Sequence, residues 1–320
     1  MLSIHRHVLK KALDTIMNYW YLWPLGLFAS LLGNGSEFQM LTNQYELVNN
    51  QEGLVSVLRE KLLTPTDTLI KAFQSWSFDQ TIVALIVLAI FVALAWLSVS
   101  SVAGLVIGIN KAQNEERSTF KELLLAGTKK FWPTFGYLAV AKIITGFIIT
   151  IIFAPVIAAS YKAGYMFFNG LLVLSSILII IPAAIVINFL TKFAIASYLI
   201  NKTEFTASWK HAWQLFKNHW LIVIEQALIL LAINLLIGLL VIIVFFIIFG
   251  PFFLLGSVTA GGFFPLVLFG VLLVGLIIVT LGSGLASYQY SAWTILYLHL
   301  TENSSYTAKI VRLFTKLFNK

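Results

Sequence analysis

Charged and amide side chains inside apolar stretches are the residues of this chain whose types and spacing could do chemistry. Lys142, Lys192 and Glu225 each lie in a run that is otherwise apolar. Ionisable groups in a membrane span are costly and usually have a function. Asn188 precedes Lys192 by four residues, on the same helix face. These four residues are candidates for a polar pocket that receives an anionic headgroup or solute. The alternative is structural, with snorkelling lysines and a Lys–Glu pair that only stabilises the fold.

The elements that must position these residues are long apolar runs. About 20 apolar residues are needed to cross about 30 Å of hydrocarbon. Five runs reach that length, at 81–109, 133–159, 170–200, 221–249 and 263–299. A sixth run, 20–32, is shorter. We expect it to span the membrane as the end of one continuous helix from Val8 to Leu32, which stops at Gly33-Asn34-Gly35.

Composition excludes a soluble protein. Hydrophobic residues make up 59% of the chain and charged residues 11%, whereas soluble domains average about 45–50% and about 25%. The Lys and Arg residues behind the formal charge of +8 stand mostly between the apolar runs, which favours membrane topology over nucleic-acid binding. The sequence has no cysteine, so disulfides, thiol catalysis and Cys-based metal sites are excluded. We predict one membrane domain over 1–320.

A basic, aromatic segment that ends in Trp occurs three times, each time before an apolar run. The copies are LKKALDTIMNYW up to Trp20, FKELLLAGTKKFW up to Trp132 and FTASWKHAWQLFKNHW up to Trp220. Two return runs close with Ile-Asn-Lys, at 109–111 and 200–202. The pattern predicts an all-α, polytopic bundle of six transmembrane helices in three repeated pairs, at about 5–111, 118–202 and 205–302. A pseudo-threefold axis along the membrane normal would relate them, and a linear row of hairpins is the alternative.

The three Trp-ended segments have the composition of helices that lie in the membrane interface. Lys and His side chains give such a helix a wet face, and Phe and Trp rings favour the depth of the headgroups. We expect interfacial anchors at Trp20, Trp132, Trp209, Trp213 and Trp220. Their role is either simple anchoring or recognition of anionic headgroups. Residues 303–320 have a similar composition and predict a C-terminal amphipathic helix.

The distribution of Lys and Arg predicts the orientation. Six spans would place both termini on one side of the membrane, together with 111–131 and 201–217. The segments on that side hold fifteen Lys and Arg residues, against four on the other side. Because positive residues concentrate in the cytoplasm, we expect cytoplasmic N- and C-termini. A cleavable signal peptide with Ala29 near its cleavage site is the alternative for the first run, but the recurrence of the Trp-ended segment favours a retained first copy.

Residues 36–80 form the long segment on the predicted outer side. They carry six acidic and three basic residues. Leucines at 54, 58 and 62 recur every four residues, and a break at Thr64-Pro65-Thr66-Asp67 precedes a second apolar set. This pattern predicts two amphipathic helices over the outer face. We expect a structural lid, with a substrate gate or a partner site as the alternative.

Small residues recur at four-residue spacing in two runs, which is typical of helices that approach closely. The two sets are Ser100, Gly104, Gly108 and Ser283, Ser287, Ser291. We predict tight helix packing along both stripes.

Signatures of catalysis and of metal binding are missing from the sequence. The five histidines show no HExxH or comparable spacing. Gly282-Ser283-Gly284 lacks the strand-to-helix context of a nucleophile elbow. No apolar run holds two acids that could act as general acid and base. We expect no catalytic activity, no metal and no cofactor.

The Trp-ended segments, the stretch WYLWPLGLFASLLGNGSEF at 20–38 and the Ile-Asn-Lys closures carry a family resemblance. The chain resembles the bacterial glycerophosphoryl diester phosphodiesterase membrane-domain family, which is related to six-helix inner-membrane proteins of the YciC type. The resemblance covers most of the chain and implies a membrane architecture, a bacterial inner membrane and a lipid-related context. In that family the membrane region is sometimes fused to a phosphodiesterase barrel. Only 300–320 follow the last apolar run, so we expect no barrel and carry over no catalytic residue.

These features give one functional expectation and one alternative. We expect a non-enzymatic integral membrane protein that binds or translocates a lipid or small solute at the repeat interface. Its expected partners are membrane lipids, including anionic headgroups, and not nucleic acid. The alternative is a structural or partner-assembly scaffold in the membrane with no transport activity.

Overall fold

The computed structural model describes residues 4–31, 78–160, 166–258 and 263–302. All secondary structure in this part of the chain is helical, because a helix satisfies its backbone hydrogen bonds internally and lipid offers none. The helices are α1 (Ile4–Asn18), a 3-10 turn (Trp20–Leu22), α2 (Trp23–Ser30), α3 (Phe78–Gln113), α4 (Phe120–Lys129), α5 (Phe131–Ser160), α6 (Met166–Ile200), α7 (Phe205–Val258) and α8 (Phe263–Glu302).

Five helices of the described residues, α3 and α5 to α8, are long and apolar enough to cross a membrane. They contain the five apolar runs that the sequence predicts as spans. The chain is therefore an all-α membrane protein. The predicted external insert, apart from 78–80, lies outside the described residues, as do the stop at Gly33-Asn34-Gly35 and the C-terminal helix 303–320.

The first Trp-ended segment does not continue into one long helix. α1 ends at Asn18, Tyr19 leaves helical geometry (φ −120°, ψ 62°), and the 3-10 turn precedes α2. α2 has eight residues, which span about 12 Å and cannot cross about 30 Å of hydrocarbon. The prediction of one helix from Val8 to Leu32 is wrong. Five candidate spans, rather than six, are found among the described residues.

Pro24 explains why the helix breaks. It has no backbone N–H for the Trp20 carbonyl and its ring crowds that carbonyl, so the regular i to i−4 hydrogen bonding is interrupted at this point. The N–H of Trp23 bonds the Trp20 carbonyl instead, in the tighter 3-10 pattern. The Trp23 indole donates to the Ile16 carbonyl at 3.0 Å, which satisfies an open acceptor in the last turn of α1. α2 then packs against α8.

The chain divides into two compact units. Unit 1 comprises residues 1–32, 97–134 and 192–320, and unit 2 comprises 33–96 and 135–191. In unit 2, the described parts of α3 and α5 expose most of their apolar side chains. In unit 1, α7 and α8 expose apolar side chains over most of 228–255 and 265–282, whereas 283–297 of α8 is largely buried. Apolar surface of this extent is stable against lipid and not against water.

Both predicted stripes of small residues pack tightly, which confirms the prediction. A Cβ added to Gly104 would lie 2.8 Å from the Leu123 carbonyl oxygen of α4. On the second stripe, the Ser287 hydroxyl donates to the Leu22 carbonyl at 3.0 Å, and the Ser283 hydroxyl donates to the Trp23 carbonyl. The stripes therefore hold α4 against α3 and the short α2 against α8.

A substitution at Gly26 tests the contact between α2 and α8. Its absent Cβ would collide with the Ser287 hydroxyl and lie 2.5 Å from the Ser283 carbonyl oxygen. We expect Gly26→Ala to destabilise the protein by about 2 kcal/mol, the cost of overpacking, measured by thermal unfolding in detergent. Gly238→Ala is the control, because nothing lies within 4 Å of that position. Equal stability of the two variants would contradict the packing described.

Candidate functional site

The three Trp-ended segments share one local geometry. In each, an entry helix stops at a non-helical residue just before the Trp, and an apolar helix or turn follows. The interrupting residues are Tyr19 before Trp20, Lys130 (φ −109°, ψ 15°) before Trp132, and His219 (φ −131°, ψ 25°) before Trp220. These breaks let an entry helix and the helix after it point in different directions.

The predicted Trp anchors are exposed at all three breaks. Trp20 exposes 75% of its surface, Trp132 76% and Trp220 52%. Within the third entry helix, Trp213 is also exposed and Trp209 is half-buried. An exposed indole with a polar N–H is stable at the depth of lipid headgroups. The exposure of these Trp residues agrees with interfacial anchoring, which stays a prediction.

The second entry helix is fixed by a capping box. The Thr119 side chain accepts a hydrogen bond from the Glu122 backbone N–H, and the Glu122 carboxylate accepts one from the Thr119 N–H. This reciprocal pair satisfies two of the open N–H groups at the start of α4. The helix consequently begins at Phe120, directly after the loop that closes α3.

Glu225, one of the predicted pocket residues, has a buried histidine as its partner. His5 Nε2 lies 2.6 Å from Glu225 Oε2, and His5 Nδ1 lies 2.9 Å from Gln226 Oε1. His5 is 3% exposed and Glu225 9%. Both ring nitrogens of His5 therefore lie within hydrogen-bonding distance of side-chain oxygens on α7, and these two contacts join α1 to α7.

The sequence-based predictions missed His5, which was considered only among the five histidines without metal-binding spacing. The signal that could have found it was the buried acid itself. An acid buried in an apolar span needs a partner, and His5 is one of the basic or titratable residues in the segments predicted to lie near that end of the spans.

Lys192 and Lys142 have different surroundings. Lys192 Nζ lies 5.5 Å from the ring centre of Trp293 and 6.0 Å from that of Tyr290, both on α8, so the ammonium rests against aromatic faces. Lys142 is exposed on α5 beside the exposed Ile143, the setting of a snorkelling lysine. Asn188 is half-buried on α6. Lys142 and Asn188 belong to unit 2, and Lys192 and Glu225 to unit 1. A pocket shared by all four stays a prediction.

The second Ile-Asn-Lys closure joins three helices of unit 1. Asn201 Nδ2 donates to the Tyr297 hydroxyl at 2.8 Å, and the Ser197 hydroxyl lies 3.1 Å from His211 Nδ1. Lys202 takes a left-handed backbone (φ 54°) that turns the chain. The closure therefore positions the third entry helix against α6 and α8, which is a structural role.

An open cleft of about 740 Å³ lies at the first break. Its walls come from the end of α1, the 3-10 turn, the loop after α3 and the first turn of α4, all in unit 1. Burial raises the pKa of the Tyr21 hydroxyl, so the hydroxyl stays protonated at neutral pH. The residues that line the cleft are Asn18, Tyr19, Trp20, Tyr21, Arg117, Ser118, Thr119 and Glu122.

Comparison with known proteins assigns the chain to a family. The model of the DUF7544 family, a family of unknown function, matches residues 16–300. The chain belongs to this family. The matched range contains all three Trp breaks and the cleft. No curated protein and no solved structure was found to match the chain. The resemblance to the phosphodiesterase membrane-domain family stays a prediction.

The His5–Glu225 pair should be important for stability. Removing one partner of a buried pair leaves an uncompensated polar group and typically costs about 3–5 kcal/mol. We expect His5→Ala to lower the stability by about 3 kcal/mol, and Glu225→Gln in the His5→Ala background to restore part of the loss because it removes the carboxylate charge that His5 no longer contacts. Thermal unfolding in detergent measures both. His7→Ala, at an exposed neighbouring histidine, is the control, and an equal loss there would contradict the role of the pair.

Proposed function

We propose that this chain is a non-enzymatic integral membrane protein of a bacterial inner membrane. We propose further that it binds phospholipids on the side of the membrane where its three Trp-ended segments lie. One observation carries the proposal. Three exposed Trp residues stand directly after three helix breaks, between amphipathic helices and apolar ones. Amphipathic helices lie in the plane of the interface and apolar helices cross the hydrocarbon, so the indoles would meet the headgroups at the point where the chain changes direction.

A contact within unit 1 supports an orientation with both ends on one side. The His7 ring of α1 and the His299 ring in the last turns of α8 lie edge to face, 5.2 Å between centres. The first entry helix is therefore next to the end of the last span. Lys and Arg residues are concentrated between α3 and α5, at Arg117, Lys121, Lys129 and Lys130, and after α6, at Lys202 and in the first part of α7 at Lys210 and Lys217. This distribution favours a cytoplasmic location for this side.

The surroundings of Glu225 and Lys192 favour lipid binding over translocation. A path for an anion needs charged groups that face water or the substrate. Glu225 is buried against His5, and Lys192 rests on the rings of Tyr290 and Trp293. The same closed contacts favour the second candidate function, a membrane scaffold that binds no specific ligand. The two candidates differ in whether lipid stays on the purified protein.

Lipid retention tests the proposal. We expect wild type, purified in mild detergent, to retain phospholipid that mass spectrometry identifies. The triple variant Trp20→Ala, Trp132→Ala, Trp220→Ala should retain several-fold less, because it loses the interfacial indoles. Trp96→Ala is the matched control, since Trp96 is an exposed Trp within candidate span α3 and does not follow a helix break. Wild type without bound lipid would favour the scaffold.

Flux measurements test the absence of translocation. We expect lipid scrambling and anion flux in proteoliposomes to stay at the protein-free background for wild type and for Lys192→Ala, because Lys192 lies against aromatic rings. Flux above background in wild type that Lys192→Ala removes would contradict this expectation and would favour translocation.

A further inference from the structure

The cleft at the first break has the size and the position of a headgroup site. Its volume of about 740 Å³ lies within the range of about 300–1,000 Å³ that small-molecule pockets occupy. Candidate span α3 ends at Gln113, and Arg117 follows four residues later in the wall of the cleft. The exposed Trp20 forms another part of the wall. A cleft at the end of an apolar helix and beside an exposed indole would lie at headgroup depth.

Two opposite charges line the cleft without pairing. Arg117 and Glu122 are both wall residues, and neither forms an ion pair with the other or with any other residue that the structure describes. Glu122 accepts the capping bond from the Thr119 N–H through Oε2, at 3.2 Å. Its Oε1 makes no hydrogen bond within the described part of the chain. A guanidinium and a carboxylate oxygen are thus both open to one ligand.

Aromatic rings and a hydroxyl complete the wall. The rings of Tyr19 and Tyr21 lie edge to face, 5.8 Å between centres. Aromatic faces attract ammonium groups. The Tyr21 hydroxyl is buried and has no hydrogen-bond partner among the described residues; it faces the Ser118 backbone without reaching hydrogen-bond geometry. An unpartnered buried hydroxyl is a donor that a ligand oxygen can satisfy.

We infer that this cleft binds the headgroup of a zwitterionic phospholipid. The phosphodiester is held by Arg117 and the Tyr21 hydroxyl, and the ammonium lies between the Glu122 carboxylate and the aromatic rings. A purely anionic headgroup would meet the Glu122 carboxylate, and a cation alone would meet the Arg117 guanidinium. The inference rests on the proposed lipid binding and specifies the lipid class and the site.

Two charge-removing variants test the site, with matched controls elsewhere on the chain. Arg117→Gln removes the phosphate partner. Glu122→Gln removes the ammonium partner but keeps the capping box, since Gln at this position bonds the same N–H. Arg6→Gln and Glu204→Gln remove the same charges from exposed positions that do not line the cleft. Native mass spectrometry of the full chain in detergent, titrated with phosphatidylethanolamine or phosphatidylglycerol, gives the affinities, and thermal unfolding shows whether each variant is folded.

The expected result is a change in both affinity and selectivity. Arg117→Gln should weaken phosphatidylethanolamine binding about tenfold, the size expected for one charge-assisted hydrogen bond. Glu122→Gln should weaken it several-fold and should raise the affinity for phosphatidylglycerol, because the repelling carboxylate is gone. The two control variants should bind as wild type does. A gain of phosphatidylglycerol binding cannot result from misfolding. The Glu122→Gln measurement therefore still tests the inference if Arg117→Gln is unstable.

Other outcomes distinguish a failure of this inference from a failure of the proposed function. If wild type binds phospholipid but neither cleft variant changes affinity or selectivity, this inference is overturned and the proposed function stands. If wild type binds no phospholipid, the proposed function fails as well. Glycerophosphoethanolamine, the water-soluble headgroup, should displace the lipid only weakly. Equal affinity for the soluble headgroup would show that the cleft binds a soluble phosphodiester, and it would overturn the inference that the ligand is a lipid.

Discussion

The exposed apolar side chains of the long helices need lipid as their solvent, and the rest of the structure depends on this requirement. Over most of α7 beyond 228 and of α8 before 283, leucine, isoleucine and phenylalanine face outward. A surface this apolar is unstable in water, and backbone N–H and C=O groups without hydrogen bonds are unstable in hydrocarbon. An apolar helix in lipid avoids both costs. Glu225, Ser283 and Ser287 instead lie where the N-terminal ends of α1 and α2 pack against the long helices.

Contact between the helices at these ends depends on small residues. Lipid tails are as apolar as leucine, so membrane helices associate through close van der Waals packing and hydrogen bonds rather than through the hydrophobic effect. Gly104 lets α4 approach α3, and Gly26 lets α2 approach α8. The hydroxyls of Ser283 and Ser287 bond the carbonyls of Trp23 and Leu22. An eight-residue helix too short to span a membrane is thereby held against a long one.

Charged side chains have different surroundings in the packed part of the protein and in the open cleft. Inside, Glu225 has His5 as a hydrogen-bonded partner and Lys192 has two aromatic rings, because an uncompensated buried charge is very costly. In the cleft, Arg117 and Glu122 stay apart, since exposed charges are solvated and gain little from pairing. The first arrangement stabilises the fold, whereas the second leaves charges available to a ligand.

Local sequence properties determined the class of the protein, the positions of five apolar helices and the two packing stripes. These features depend on composition, run length and four-residue spacing, which can be read along one segment. The end of α1 at Asn18 could also have been predicted, because Pro24 marks a break, but the recurrence of the Trp-ended segment before an apolar run suggested a sixth span. Tertiary structure alone decided that His5 meets Glu225, 220 residues away, and that Tyr21 and Arg117 share a cleft. Such pairs depend on which helix ends meet, and a hydrophobic pattern does not distinguish among the helices that could pack together.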